Sequence, residues 1–238
     1  MKIITIGDIH GKFVWKRFVD QEADLYVFLG DYTDGYTKDL VDIEFEIYNL
    51  GEIIKFKKDN PDKVKLLLGN HDIHYFSTDF ICSRFRYNKA HELSKIFYDN
   101  KDLFQVSYQI DKKVWVHGGV SSIFQKKHYK GEFISDYLND VWQNSFNDDG
   151  TFKSIEELKS EGLDHLYYIG KDRGGKDPYS GPFWVDKVNF YEKPAVGFHQ
   201  IVGHNMVKEI KTYTRSKGSI ITFCDCLEYN SECFELML

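Results

Sequence analysis

No stretch of this chain approaches the ~20 consecutive apolar residues that a membrane-spanning helix requires. There is no excess of positive charge either. The formal net charge is −6, which argues against a surface built for bulk nucleic-acid binding or for an anionic membrane. Local basic clusters, Lys55, Lys57 and Lys58 and then Lys126, Lys127, His128 and Lys130, read as solvated faces. Cysteine is sparse, with four in 238 residues. Cys82 is isolated. Cys224, Cys226 and Cys233 fall in what reads as a terminal strand pair, where Cys224 and Cys226 would share one face and serve packing rather than zinc. Internal repeats, low-complexity tracts and an inter-domain linker are missing, so the reading is one domain over residues 1–238. The opening MKIITIGDIHG has too short an apolar segment for a signal peptide, and the expectation is a cytoplasmic protein that starts with its first strand.

What the chain does have is material for a core and a recurring strand-then-motif pattern. Hydrophobic residues make up 42% and aromatics 16%, led by 19 Phe and 16 Tyr. IITI (3–6), LYVFL (25–29) and VKLLL (64–68) read as buried strands. Residues 12–22 suit a short helix, Asp39 to Lys58 a long amphipathic one and 89–99 another. QVSYQI (105–110) and KVWVH (113–117) flank the turn Asp111-Lys112, a hairpin signal. Helices are expected around 134–145 and 154–161, inside an irregular stretch, 125–165, read as an insertion covering one edge of the site. QIVGH (200–204), SIITF (219–223) and 232–237 complete a second set of strands.

Five fragments stand at the ends of these apolar runs: GDIHG (7–11), GDYTDG (30–35), GNHD (69–72), VHGG (116–119) and GH (203–204). Loops at the carboxyl ends of strands converge in sheets flanked by helices, so the fragments can meet despite their separation. Together they supply Asp, His and Asn in the mixture that holds two cations about 3.5–4 Å apart for phosphate ester hydrolysis. An imidazole-containing set favours Mn, Fe or Zn over Mg or Ca. Gly7, Gly30, Gly69 and Gly203 each precede a candidate ligand, where they allow a sharp turn and close backbone approach.

These spacings resemble the calcineurin-like metallophosphoesterases, and more closely their phosphoprotein phosphatase branch with its small phage and bacterial enzymes. The match extends from residue 3 to the end, thinly between 120 and 170, and is strongest in GDIHG, NPDKVKLLLGNHD and KVWVHGGVS. The resemblance implies an αββα sandwich of two mixed sheets flanked by helices. It implies two divalent ions, Mn²⁺ first with Fe or Zn as alternatives. Asp8 and His10 would bind the first ion, Asp31 would bridge, and Asn70, His117 and His204 would bind the second. His71 would protonate the leaving group, Asp34 would orient its imidazole, and a water bridging the metals would be the nucleophile.

Three departures narrow the analogy. Nuclease branches end in G-H-x-H, whereas His204 is followed by Asn205 and Met206, so the first ion has one protein ligand fewer. The phosphatase branch has Arg where this chain has Gly35, and Trp184 lacks the Arg that often follows it by two positions. Arg173 in its glycine-rich loop, then Arg84 and Arg86, are the candidates to bind the phosphate instead. His74, His91, His128, His165 and His199 are assigned packing or surface roles, His74 being the likeliest exception, and Phe183 with Trp184 is read as packing under the site. The expected activity is Ser/Thr protein phosphatase-like hydrolysis of phosphate monoesters. The alternatives are a hydrolase of dinucleoside polyphosphates or other nucleotides, and a scaffold with a residual metal site. The partner is accordingly a phosphorylated protein or a nucleotide.

Overall fold

Alternation along the first strand divides the molecule. In β1 (Lys2–Ile6), Ile3 packs into one apolar cluster while Ile4 and Ile6 pack into another on the opposite face. The computed structural model describes residues 1–36, 42–129, 131, 133–188 and 193–238. After β1 come α1 (Trp15–Val19), β2 (Leu25–Phe28), α2 (Ile43–Asp59), β3 (Val64–Leu67), α3 (Asn70–Ile73), α4 (Ala90–Asp99) and β4 (Phe104–Gln105). Then follow β5 (Ser107–Ile110), β6 (Lys113–Val116), α5 (Ser122–His128), α6 (Ile134–Gln143), α7 (Ile155–Ser160), β7 (His199–Val202), β8 (Lys211–Thr214), β9 (Ile220–Phe223) and β10 (Phe234–Met237).

The strands form two five-stranded mixed sheets, in the orders β10-β1-β2-β3-β4 and β5-β6-β7-β9-β8. Ile3, Val27 and Leu67 of the first meet Trp115 and Ile201 of the second in an apolar layer between them. The indole of Trp115 donates to the Thr5 hydroxyl at 2.8 Å, both fully buried, so this polar pair is satisfied across the layer. Helices flank the pair. Helix α2 buries Leu50, Ile53 and Ile54 in the outer cluster with Trp15 and Phe28, and Asp42 caps its start by accepting from the Glu44 amide at 3.1 Å. This is the α/β sandwich expected from the motif resemblance.

Several expectations shift. The start expected for α2, with Asp39 and Leu40, lies outside the described residues. The strand expected over 105–110 is two strands: β4 pairs with β3 in the first sheet and β5 with β6 in the second, the chain crossing between sheets at Val106. The Asn139 side chain accepts from the amides of Val106 and Ser107 at 2.9 and 3.1 Å, satisfying the backbone at the crossing. The last strand, expected in the second set, joins the first: β10 runs antiparallel to β1 with Ile3 opposite Leu236. Cys224 and Cys226 therefore lie just beyond β9 rather than in a terminal strand pair, and the four cysteines are unpaired. Helix α5 was unforeseen; its seven residues start at Ser121, whose hydroxyl accepts from the Phe124 amide at 3.1 Å.

Candidate metal centre and active site

The five motif loops meet at one end of the sandwich. Each leaves a strand terminus: GDIHG after β1, GDYTDG after β2, GNHD after β3, VHGG after β6 and GH after β7. The approach is close enough to require glycine. A Cβ on Gly69 would stand 2.1 Å from Asp31 Oδ1, and one on Gly203 would stand 2.1 Å from Asp8 Oδ1. Four non-glycine residues here adopt positive φ: His10 at 43°, Asp31 at 51°, Asp34 at 61° and His204 at 59°. Such backbone costs about 1–3 kcal/mol per residue and persists only where its surroundings over-determine it. The loops are clamped accordingly. Asp72, fully buried, accepts from the amides of Gly69 at 2.7 Å, Asp31 at 2.8 Å and Tyr32 at 3.0 Å, tying the β3 loop to the β2 loop.

Asp8, His10 and Asp31 bring ligand atoms within 4.8 Å of one another. His10 donates from Nδ1 to the Thr33 carbonyl at 2.9 Å, which leaves Nε2 unprotonated, 3.7 Å from Asp31 Oδ2. Beside them is a second set. His117 donates from Nδ1 to the Leu29 carbonyl at 2.8 Å, and its Nε2 stands 3.0 Å from Asn70 Oδ1 and 3.5 Å from Asp31 Oδ2. His204 Nδ1 stands 2.8 Å from the same Asn70 oxygen. Asp31 spends Oδ1 on the His71 amide at 2.9 Å and aims Oδ2 at both sets.

Burial lowers the pKa of all three imidazoles, His10 to about 3, and keeps them neutral. Neutral His117 thus points a lone pair at the lone pair of Asn70 Oδ1. A cation between them would satisfy both, so this set fits a metal ion. The carboxylates behave differently from each other. Burial raises Asp8, assisted by Asp225 and Asp31, whereas burial of Asp31 is outweighed by His117, His71 and His10, which hold it below the ordinary range.

His71 is the exception among the histidines. Burial disfavours its charge, but Asp31 and the hydrogen bond to Asp34 outweigh this and raise it to about 10. Its Nδ1 donates to Asp34 Oδ2 at 2.9 Å, and Asp34 also takes a 2.6 Å bond from the Tyr75 hydroxyl and has His74 Nε2 at 2.8 Å. His74 is therefore a buried neighbour of this pair. Cys82 lies beside the pair, its Sγ 3.4 Å from His74 Nδ1 and 3.7 Å from His71 Nδ1.

An open cavity of about 370 Å³ exposes these groups, walled by Asp8, His10, Asp31, Asn70, His71 and His204, with Tyr36, Arg84, Arg173, Trp184 and Asp225 around them. The Arg84 guanidinium carbon sits 3.8 Å from the Tyr36 ring centroid, and its Nη2 reaches His71 Nε2 at 3.0 Å. Arg173 lies 3.0 Å from Asp186 and donates to Asn205 at 2.6 Å. Arg86, a third candidate for phosphate, is directed elsewhere: it pairs with buried Glu46 and donates to the Gly35 carbonyl at 3.0 Å. Glu46 in turn accepts from the Asp34 and Gly35 amides at 2.8 and 3.2 Å, so Arg86 supports the loop that carries Asp34. Trp184 packs edge-on to His204 at 6.0 Å with Phe183 fully buried, as a packing role requires. Among the described residues of 125–165 none reaches the cavity wall, and α6 packs on β5 instead. Sequence reasoning missed Asp72, Tyr75, Glu46 and Asp225. Asp72 sits in the quoted GNHD but resembles an ordinary loop carboxylate, and Glu46 is a helix residue with no motif around it.

The family model for calcineurin-like phosphoesterases matches residues 1–208. No curated protein matches the sequence. The fold is similar to that of a cold-active protein-tyrosine phosphatase of a psychrophilic Shewanella, with a TM-score of 0.60 at 16% identity over 99% of this chain and 75% of that one. A second structure described as a cold-active protein tyrosine phosphatase gives 0.63 at 17% identity, over 99% and 73%.

Proposed function

The chain belongs to the calcineurin-like phosphoesterase family, and from that premise we propose that it hydrolyses phosphate monoesters in the manner of the phosphoprotein phosphatases. The observation that carries this reading is the convergence of Asn70 Oδ1, His117 Nε2 and His204 Nδ1 on one point facing Asp31 Oδ2. Asp8 and His10 would hold one divalent ion and Asn70, His117 and His204 the other, with Asp31 as the ligand that would serve both. The histidine content favours Mn²⁺, with Fe or Zn as alternatives. Bound there, the two ions supply charge neutralisation at the phosphoryl oxygens and an activated water for in-line attack.

The chain's own groups do the rest. His71 presents Nε2 to the cavity and gives its proton to the departing oxygen. Asp34 fixes the tautomer and stabilises the imidazolium. Arg84 and Arg173, on the cavity wall, hold the phosphate in place of the Arg absent at Gly35. Arg84 presents its planar donors already ordered by Tyr36, which reduces the entropy lost on binding.

Four unpaired cysteines support a reducing compartment, and we place the protein in the cytoplasm. Among the described residues no helix is long and apolar enough to cross a membrane. Both sheets contribute loops to the one cavity, which supports a single domain over residues 1–238.

The test is turnover by the Mn²⁺-loaded protein of phosphoserine, phosphothreonine and phosphotyrosine peptides, an aryl phosphate and diadenosine tetraphosphate. Preference for the monoesters is expected. Preference for the tetraphosphate would move the assignment to a nucleotide hydrolase, and no turnover of any would leave a metal-binding scaffold.

A further inference from the structure

Cys82, His71 and His74 place three metal-ligating atoms within 4.8 Å of one another, beside the dinuclear centre but not part of it. A tetrahedral zinc ion takes thiolate at about 2.3 Å and imidazole at about 2.0–2.1 Å, which sets sulfur and nitrogen roughly 3.5 Å apart. Here Sγ of Cys82 stands 3.4 Å from His74 Nδ1 and 3.7 Å from His71 Nδ1. Both sulfur–nitrogen separations are therefore those of a zinc site. His74 would keep Nε2 against Asp34 Oδ2, at 2.8 Å, so a carboxylate orients the ligand from behind. Both imidazoles are buried, while Cys82 is half-buried and lines the cavity, so an ion arriving from solvent meets the thiol first.

We propose that Cys82, His71 and His74 form a third cation site, selective for Zn²⁺ and similarly thiophilic ions, whose occupation switches hydrolysis off. Selectivity follows from the sulfur, which a hard ion such as Mg²⁺ or Mn²⁺ does not seek. On binding, the Cys82 thiol and His71 Nδ1 each release a proton to solvent, and the ion takes the thiolate and the lone pair so freed on His71 Nδ1. That nitrogen then no longer donates to Asp34 at 2.9 Å, and the proton-donating pair is broken. The inhibitory consequence rests on the role proposed for His71; the binding itself does not.

The binding is read by titrating the metal-free protein with Co²⁺ and following the near-ultraviolet sulfur-to-cobalt charge-transfer band, which ions held by Asp, Asn and His alone do not give. The wild type should develop this band. Cys82→Ser should lose it, and His74→Gln should weaken the underlying affinity at least about tenfold. A wild type without the band, or a band that survives in Cys82→Ser, overturns the site. This arm decides the matter even if the protein hydrolyses nothing. For inhibition, the Mn²⁺-loaded enzyme is titrated with Zn²⁺. The half-inhibiting concentration should rise at least about tenfold in Cys82→Ser, a residue with no part in the machinery proposed above. Equal inhibition of both proteins overturns the switch.

Discussion

The Arg84 guanidinium stands 3.0 Å from His71 Nε2, on the cavity side of an imidazole whose other nitrogen meets Asp34. Two donors set side by side on the cavity wall favour an anion lying against both. The phosphate ester supplies that anion, its leaving oxygen toward His71 and its phosphoryl oxygens toward Arg84. Hydrogen bonds to charged groups are worth about 1.5–3 kcal/mol, so Arg84→Ala should lower kcat/KM roughly 10- to 100-fold. Arg84→Lys should recover only part of this, because the forked donors and the Tyr36 contact are lost. Unchanged steady-state kinetics in Arg84→Ala would remove it from the substrate site.

His71→Asn should retain both metal ions and the fold while turnover falls by about 10²–10⁴, the usual worth of general acid catalysis. Metal content by elemental analysis, measured beside kcat, separates a lost proton donor from a lost metal centre.

The alkaline limb of the pH–rate profile should report His71. A raised imidazole pKa keeps the acid form through neutral pH and loses it as pH climbs through the folded value, about 10 without metal ions. Bound cations draw that value downward, so the limb falls between this and the ordinary 6.5. Removing the charge-assisted bond in Asp34→Asn, worth about 1.5–3 kcal/mol, should move the limb acidward by roughly one to two pH units. A limb that stays in place would assign it to another group.

Asp31→Asn should reduce bound metal to below one ion per chain, because Oδ2 is the oxygen shared by the two ligand sets. Equilibrium dialysis against Mn²⁺ reads this directly, and two ions retained at full occupancy would count against bridging.

Arg86→Ala should behave unlike Arg84→Ala. It leaves the fully buried Glu46 without its cation, at a cost approaching the lower end of the ~3–5 kcal/mol seen for broken buried pairs, since Arg86 is itself 22% exposed. The loss appears in the melting temperature, and Glu46→Gln in the same chain should restore part of it. KM for an aryl phosphate should change little.

The metal-ligand candidates and the sandwich were legible because both depend on local signals. An apolar run ending in a Gly–ligand pair is visible in a single segment, as in VKLLLGNHD, and its repetition places the loops at one end of the sheets. What supports those loops was not legible. Asp72 and Glu46 act by accepting backbone amides from segments roughly 10 to 40 residues away, and nothing in their neighbourhood distinguishes them from exposed acids. Arg84 and Arg86 differ by two positions and diverge completely, one over Tyr36 in the cavity and one against Glu46, though the residue type is the same. The placement of β10 escaped for a similar reason: strand pairing across the whole chain leaves no mark on the strand's own composition.

That pairing also fixes the order in which the protein becomes active. Asp8 lies in the first loop, yet both its oxygens are held at 3.0 Å by the amide of His204, 196 residues later, and its strand is bordered by residues 234–237. Synthesis at about 5–20 residues per second therefore spends on the order of ten seconds or more between these two points. During that time the early ligands Asp8, His10 and Asp31 exist without the partner that closes the centre. A ribosome-bound chain ending before residue 204 should be an incomplete metal trap, and hydrolytic competence should arrive late and all at once, as expected where contacts of great sequence separation complete the fold.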